Sequence, residues 1–192
     1  MLSFAGRAVR TGKAKEMRKL IGRLADGLEP PVPTTPDTLF AALIDRVSEI
    51  RGRPVILLKE EFPHRTATGL WLDMPEHDII VVDKRAAPVH MLAIICHEIW
   101  HMIEGDCGQH AAGVSVAERA LNERTDLHEA VRAAAARTEF HERSEQEAET
   151  FALRAVTHLR IWLEGEPGSP AADRTQIAGR IGASLGHRRS KA

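Results

Sequence analysis

His97, Glu98 and His101 stand together in A-I-I-C-H-E-I-W-H-M-I, residues 93 to 103. On a helix, histidines four apart share one face, one turn apart. Their ring nitrogens can take adjacent corners of a zinc tetrahedron. Glu98 is rotated by about 100° from His97 on the helical repeat. It cannot join the histidines as a third ligand, but it can reach a water held by the metal. That position suits a general base: zinc lowers the water's pKa and the glutamate takes its proton. The competing reading is a core helix with two satisfied histidines. It leaves Glu98 buried in an apolar run, at a cost of several kcal/mol if unpaired. The metal reading is therefore preferred.

A third ligand is needed. In one class of H-E-x-x-H proteins a glycine and a third histidine follow at fixed offsets. Those offsets hold Glu104 and Cys107 here. The pattern fails, although Cys107 remains a competent zinc ligand by type. A second class takes a glutamate from a later helix. R-S-E-Q-E-A-E-T-F-A, 143 to 152, places Glu145 and Glu149 four apart on one face. One can bind zinc while the other orients a ligand histidine through its second nitrogen. Taken alone, the segment would read as a solvated charged face with Glu147 in a capping role.

Several elements must position these groups. Met17, Leu20, Ile21, Leu24 and Leu28 recur at helical spacing over 15 to 28, after a basic tail expected to fray. Pro30, Pro31, Pro33 and Pro36 make a stiff connector. Thr35 is placed to cap the next helix, with Pro36 at its first position and Gly52 and Pro54 at its end. Strands are expected at 55 to 62, 67 to 73 and 79 to 83, the last two as a hairpin across Pro75 to Asp78. Three strands are few, so the sheet must lean on helices. Pro88 opens the histidine helix, which ends near Gly105. Residues 106 to 113 are Gly-rich, and 114 to 140 read as helical with a break near Thr125. Ser144 and Glu147 form a capping box for the second site helix. Its apolar face carries Phe151, Val156, Leu159 and Leu163, and Leu153 and Val156 read as core. Trp71, Trp100 and Trp162 read as core or as groove walls.

At 192 residues and a net charge of -1, the chain reads as one domain with loose ends and no electrostatic bias toward nucleic acid or acidic lipid. No segment approaches a membrane span or a secretory signal. Cys96 and Cys107 lie too far apart on or near one helix to bridge, so a cytoplasmic protein with reduced thiols is expected. The organisation expected is a tail, helix and connector over 1–35, a principal domain over 36–165, and a linker, short helix and basic tail over 166–192. The fold class is α+β, mostly helical, with a small three-stranded sheet packed on the H-E-x-x-H helix.

Together these residues resemble the ImmA/IrrE family of small bacterial zinc metallopeptidases. There a short sheet precedes the H-E-x-x-H helix, and a later helix carries E-x-x-A-[N/D]-x-F-A, whose first glutamate is the third ligand. The matching stretch here is E-Q-E-A-E-T-F-A, 145 to 152, with G-L-W-L-D and D-I-I-V-V-D as the strand pair. The resemblance covers roughly residues 40 to 160. It implies a zincin-like fold and a Zn2+ ion on His97, His101 and Glu145, with Glu98 as the catalytic base and Glu149 supporting a ligand. It also implies a separately encoded helix-turn-helix regulator as partner or substrate, as in toxin–antitoxin pairs. Glu149 replaces the family's Asn or Asp, Trp100 fills a place often small, and L-R-A-V replaces L-L-M-P after F-A. The stretch from 106 to 143 reads as an insertion. A substrate strand would pair along the edge at 67 to 73. The chain has no tyrosine to stabilise an oxyanion. His141 and Arg143 are the candidates for that task, and His64 a weaker one. A non-catalytic protein that keeps the zinc site is the alternative, and a metal-free helical interaction domain a third reading.

Overall fold

The computed structural model describes residues 4–62, 68–104 and 142–165. Helix α1 runs Phe4–Ala25 and α2 runs Pro36–Arg51. Strands β1 (Val55–Glu60), β2 (Gly69–Asp73) and β3 (Asp78–Asp83) follow, then α3 (Pro88–Glu104). Beyond the undescribed stretch come α4 (Glu142–Leu159) and the one-turn α5 (Ile161–Glu164). The class is α+β, as expected. No helix among the described residues is long and apolar enough to cross a membrane.

Local signals set most boundaries. Thr35 accepts from the Thr38 amide at 3.2 Å, Pro36 opens α2, and Gly52 closes it at φ 76°, a left-handed conformation that glycine adopts without strain. α1 begins well before the predicted residue 15. The added turns lack an apolar stripe, but their alanines, arginines and lysine favour helix. α1 sends Met17, Leu20, Ile21 and Leu24 into the same core as α2. The capping box does not form: α4 starts at Glu142, so Ser144 lies inside its first turn. Glu147 faces Lys13 of α1 at 3.9 Å instead.

The sheet order is β1-β3-β2, with β3 parallel to β1 and antiparallel to β2. The β2–β3 hairpin is the one expected. Its register pairs Trp71 with Ile80 and Asp73 with Asp78. The Asp83 amide donates to the Thr68 carbonyl and the Met74 amide to His77. By the alternation of an antiparallel ladder, the backbone groups of Gly69, Trp71 and Asp73 therefore point away from β3, toward the outer edge.

One sheet face carries Val55, Trp71, Ile80 and Val82 into the helical core. The other carries Leu70, Leu72, Ile79 and Val81, clustered with Phe62 and Met74. α3 is buried almost all round and packs on both the sheet and α4. Of the two alternatives for the tryptophans, core or groove wall, Trp71 and Trp100 are core, and Trp162 is partly buried. Leu153 is not core: it is 69% exposed. The buried stripe of α4 is Ala148, Phe151, Ala152, Ala155 and Leu159, and position 153 falls outside that stripe on the helical repeat.

Candidate metal centre

α3 and α4 bring His97, His101 and Glu145 together. The two Nε2 atoms are 3.1 Å apart. Glu145 turns one oxygen to each ring, 3.1 Å from His97 and 3.2 Å from His101. One ligand atom from each residue lies within 4.8 Å of the others. Ligand atoms on tetrahedral corners about 2.0–2.1 Å from a zinc ion lie about 3.3–3.4 Å apart. The spacing, the donor types and the shared orientation fit a small divalent ion held by two imidazoles and a carboxylate. His101 is buried, only 4% exposed, while His97 and Glu145 are half-buried.

The electrostatics suit a cation. Burial works against ionising Glu145, but hydrogen bonds from His101 and His97 win and hold its carboxyl at about 2. Burial pushes His97 down, yet its bond to Glu145 and the charges of Glu98, Glu145 and Glu149 outweigh that and raise it. Glu145 is thus held as a carboxylate between the two rings.

Glu98 is buried beside the ligands, outside their triangle. Its carboxyl is raised above the ordinary carboxylate range, chiefly by burial; the neighbouring histidines pull the other way. The backbone N–H of Trp71 donates to it. Gly69 makes the close approach feasible. A Cβ on Gly69 would lie 2.3 Å from Ile94 Cγ2 and 2.7 Å from Glu98 Oε1.

Glu149 is exposed one turn beyond Glu145 and acts on His97 through its charge; no hydrogen bond joins the two among the described contacts. Arg143 lies in the first turn of α4, its side chain outside the described residues. His141, His64 and Cys107 also lie outside them, as does most of the stretch from 106 to 143.

Sequence reasoning missed the link from Glu98 to β2. The available signal was Gly69 at the start of a strand, a common mark of close backbone approach. It also missed Asp78, the first residue of β3, which is fully buried. No known family model, curated protein or solved structure matches the chain.

Proposed function

We propose that this chain is a zinc-dependent endopeptidase, zincin-like in fold and similar to the ImmA/IrrE metallopeptidases. It would hydrolyse a peptide bond in a cytoplasmic regulatory protein, a separately encoded helix-turn-helix repressor. The observation that carries this reading is the convergence of His97, His101 and Glu145 with a buried fourth group, Glu98, set beside them. A protein that only held zinc would have no use for a carboxyl buried at that position, where desolvation opposes its charge.

Zinc, when bound, supplies a Lewis acid that polarises a carbonyl and brings water toward ionisation at neutral pH. His97, His101 and Glu145 are the residues that would hold it. Glu98 takes the proton from the attacking water and returns it to the leaving amine nitrogen. A carboxyl raised toward neutrality by burial suits both transfers. The outer edge of β2, toward which the ladder alternation turns the Gly69 backbone, is where a substrate strand would pair.

The test is zinc per chain in wild-type protein and in Glu145→Ala and Glu98→Gln. The expected result is close to one ion in wild type and in Glu98→Gln, and none in Glu145→Ala. Glu98→Gln then serves as the control in a cleavage assay on the repressor encoded nearby. Wild-type protein that takes up no zinc when zinc is supplied overturns the reading.

A further inference from the structure

Asp78 lies at the turn end of the hairpin, away from the metal ligands, with no exposed surface. Four donors converge on it. Trp71 Nε1 is 2.7 Å from Oδ1, Arg53 Nη2 is 2.6 Å from Oδ1, and Arg53 Nε and Arg51 Nε are 2.7 and 2.9 Å from Oδ2. A side chain so heavily bonded is a fixed point. Trp71 is itself fully buried, so its indole has little freedom once Nε1 is held. The same residue's backbone N–H points out of the sheet and onto Glu98.

We propose that Asp78 is a positioning residue for Glu98: it locks the Trp71 indole, and the locked strand holds the Trp71 amide on the Glu98 carboxylate. The proposal rests on the reading of Glu98 as the proton-transfer group. It adds that this group is aimed by a buried acid on another strand. Arg51 and Arg53 extend the chain of contacts to the end of α2 and the start of β1. Asp73 bonds Arg53 as well and closes the cluster on the β2 side.

The experiment uses the full, uniformly 15N-labelled chain with zinc supplied. It reads backbone amide exchange at position 71 against that at Trp100, a buried amide in α3. A merely structural loss speeds both and leaves their ratio unchanged. Removing the hydrogen bond to Glu98 should raise the ratio about tenfold. That rise is expected in Glu98→Ala, which deletes the acceptor, and in Asp78→Ala, which frees the indole. Trp71→Phe removes the indole N–H while keeping Asp78 with its arginines. It repeats the test should Asp78→Ala fail to fold, and the same rise is expected. An unchanged ratio in Glu98→Ala overturns the proposal outright. A rise in Glu98→Ala with none in Trp71→Phe also overturns it, because the indole then plays no part. Zinc is measured in the same samples. Zinc-free wild-type protein that still shows the coupling overturns the peptidase reading and leaves the Asp78–Trp71–Glu98 connection standing.

Discussion

Trp100 of α3 stacks on Phe151 of α4, their ring centroids 4.9 Å apart and their planes 27° apart. Trp100 precedes His101, and Phe151 lies six residues after Glu145. The stack therefore sets the register between the helix that carries the histidines and the helix that carries the carboxylate. Both rings are buried, Phe151 completely. Phe151→Ala should cost about 3–5 kcal/mol of stability through the cavity it leaves. It should also weaken zinc binding, because α4 loses its seat on α3. Urea unfolding with and without zinc checks both. A zinc affinity unchanged in Phe151→Ala would show that Glu145 is positioned by something other than this packing.

Gly69→Ala is expected to act on Glu98 and not on the ligands. The added methyl meets Ile94 and Glu98 at distances that real contacts do not show, so one of them must move. Overpacking of this kind costs about 1–3 kcal/mol. The expected phenotype is a protein that keeps its zinc, loses some stability, and cleaves poorly. Metal analysis beside thermal unfolding separates this from a general loss of fold: zinc lost along with the stability would sink the prediction.

The candidate cluster was legible in the sequence because the two histidines sit at helical spacing. His97 and His101 declare themselves by the i, i+4 rule, and Glu145 comes with a face of its own. Thr35, Pro36 and Gly52 fixed α2 because capping is a local interaction. The strand order was not legible, since β1 beside β3 is a long-range pairing that no local pattern specifies. Leu153 was misplaced for a related reason. A leucine in an alanine-rich helix looks like core, but Ala148, Ala152 and Ala155 do the packing because α4 lies close to its neighbours. Asp78 and the Trp71 amide escaped notice because only the hairpin register brings them to their partners.

Acid should destabilise the protein through Asp78. Burial alone would raise its pKa, but the bonds from Arg53, Arg51 and Trp71 prevail, and the folded value lies below its ordinary 3.8. A depressed folded pKa contributes stability that is present above the unfolded value and lost as pH falls through the folded one. Asp83, bonded to Arg85, is depressed likewise. Asp78→Asn should cost about 3–5 kcal/mol at pH 7, since it strands two arginines against a buried neutral group. The penalty should begin to shrink below about pH 4, as the unfolded carboxyl takes up its proton, and be gone only once pH has fallen through the lower folded value. Unfolding midpoints at pH 7 and pH 3 test this. An equal penalty at both would refute it.

Cys96 should be chemically silent in the native protein. It is fully buried in α3, and burial pushes its thiol up to about 12. At pH 8 that leaves about one thiolate in ten thousand, and only the thiolate reacts. Iodoacetamide followed by peptide mapping should leave Cys96 unmodified until the chain is unfolded. Rapid native labelling of Cys96 would mean that α3 opens readily.

Removal of zinc should leave a folded protein whose stability responds to pH in the opposite sense from the loaded one. The core is built from α1 to α4 and the sheet without the metal, so chelation need not unfold the chain. Zinc at a thousand times its Kd adds about 4 kcal/mol, or about 8–16 °C in Tm at 2–4 °C per kcal/mol for a chain of this size. Without metal, Glu145 sits at about 2 against an ordinary 4.5, so its contribution is present above pH 4.5 and lost as pH falls toward 2. His97 is raised above 6.5, so its contribution is present below 6.5 and lost as pH rises through the folded value. From the site alone, the chelated protein is most stable between those limits. The loaded protein should instead gain stability as pH rises past 6.5, because zinc binds the neutral imidazoles and protons compete with it. Thermal scans from pH 5 to pH 8, with zinc and with chelator, should show the Tm gap widening with pH. A gap that stays constant would mean that the metal is not held by these histidines.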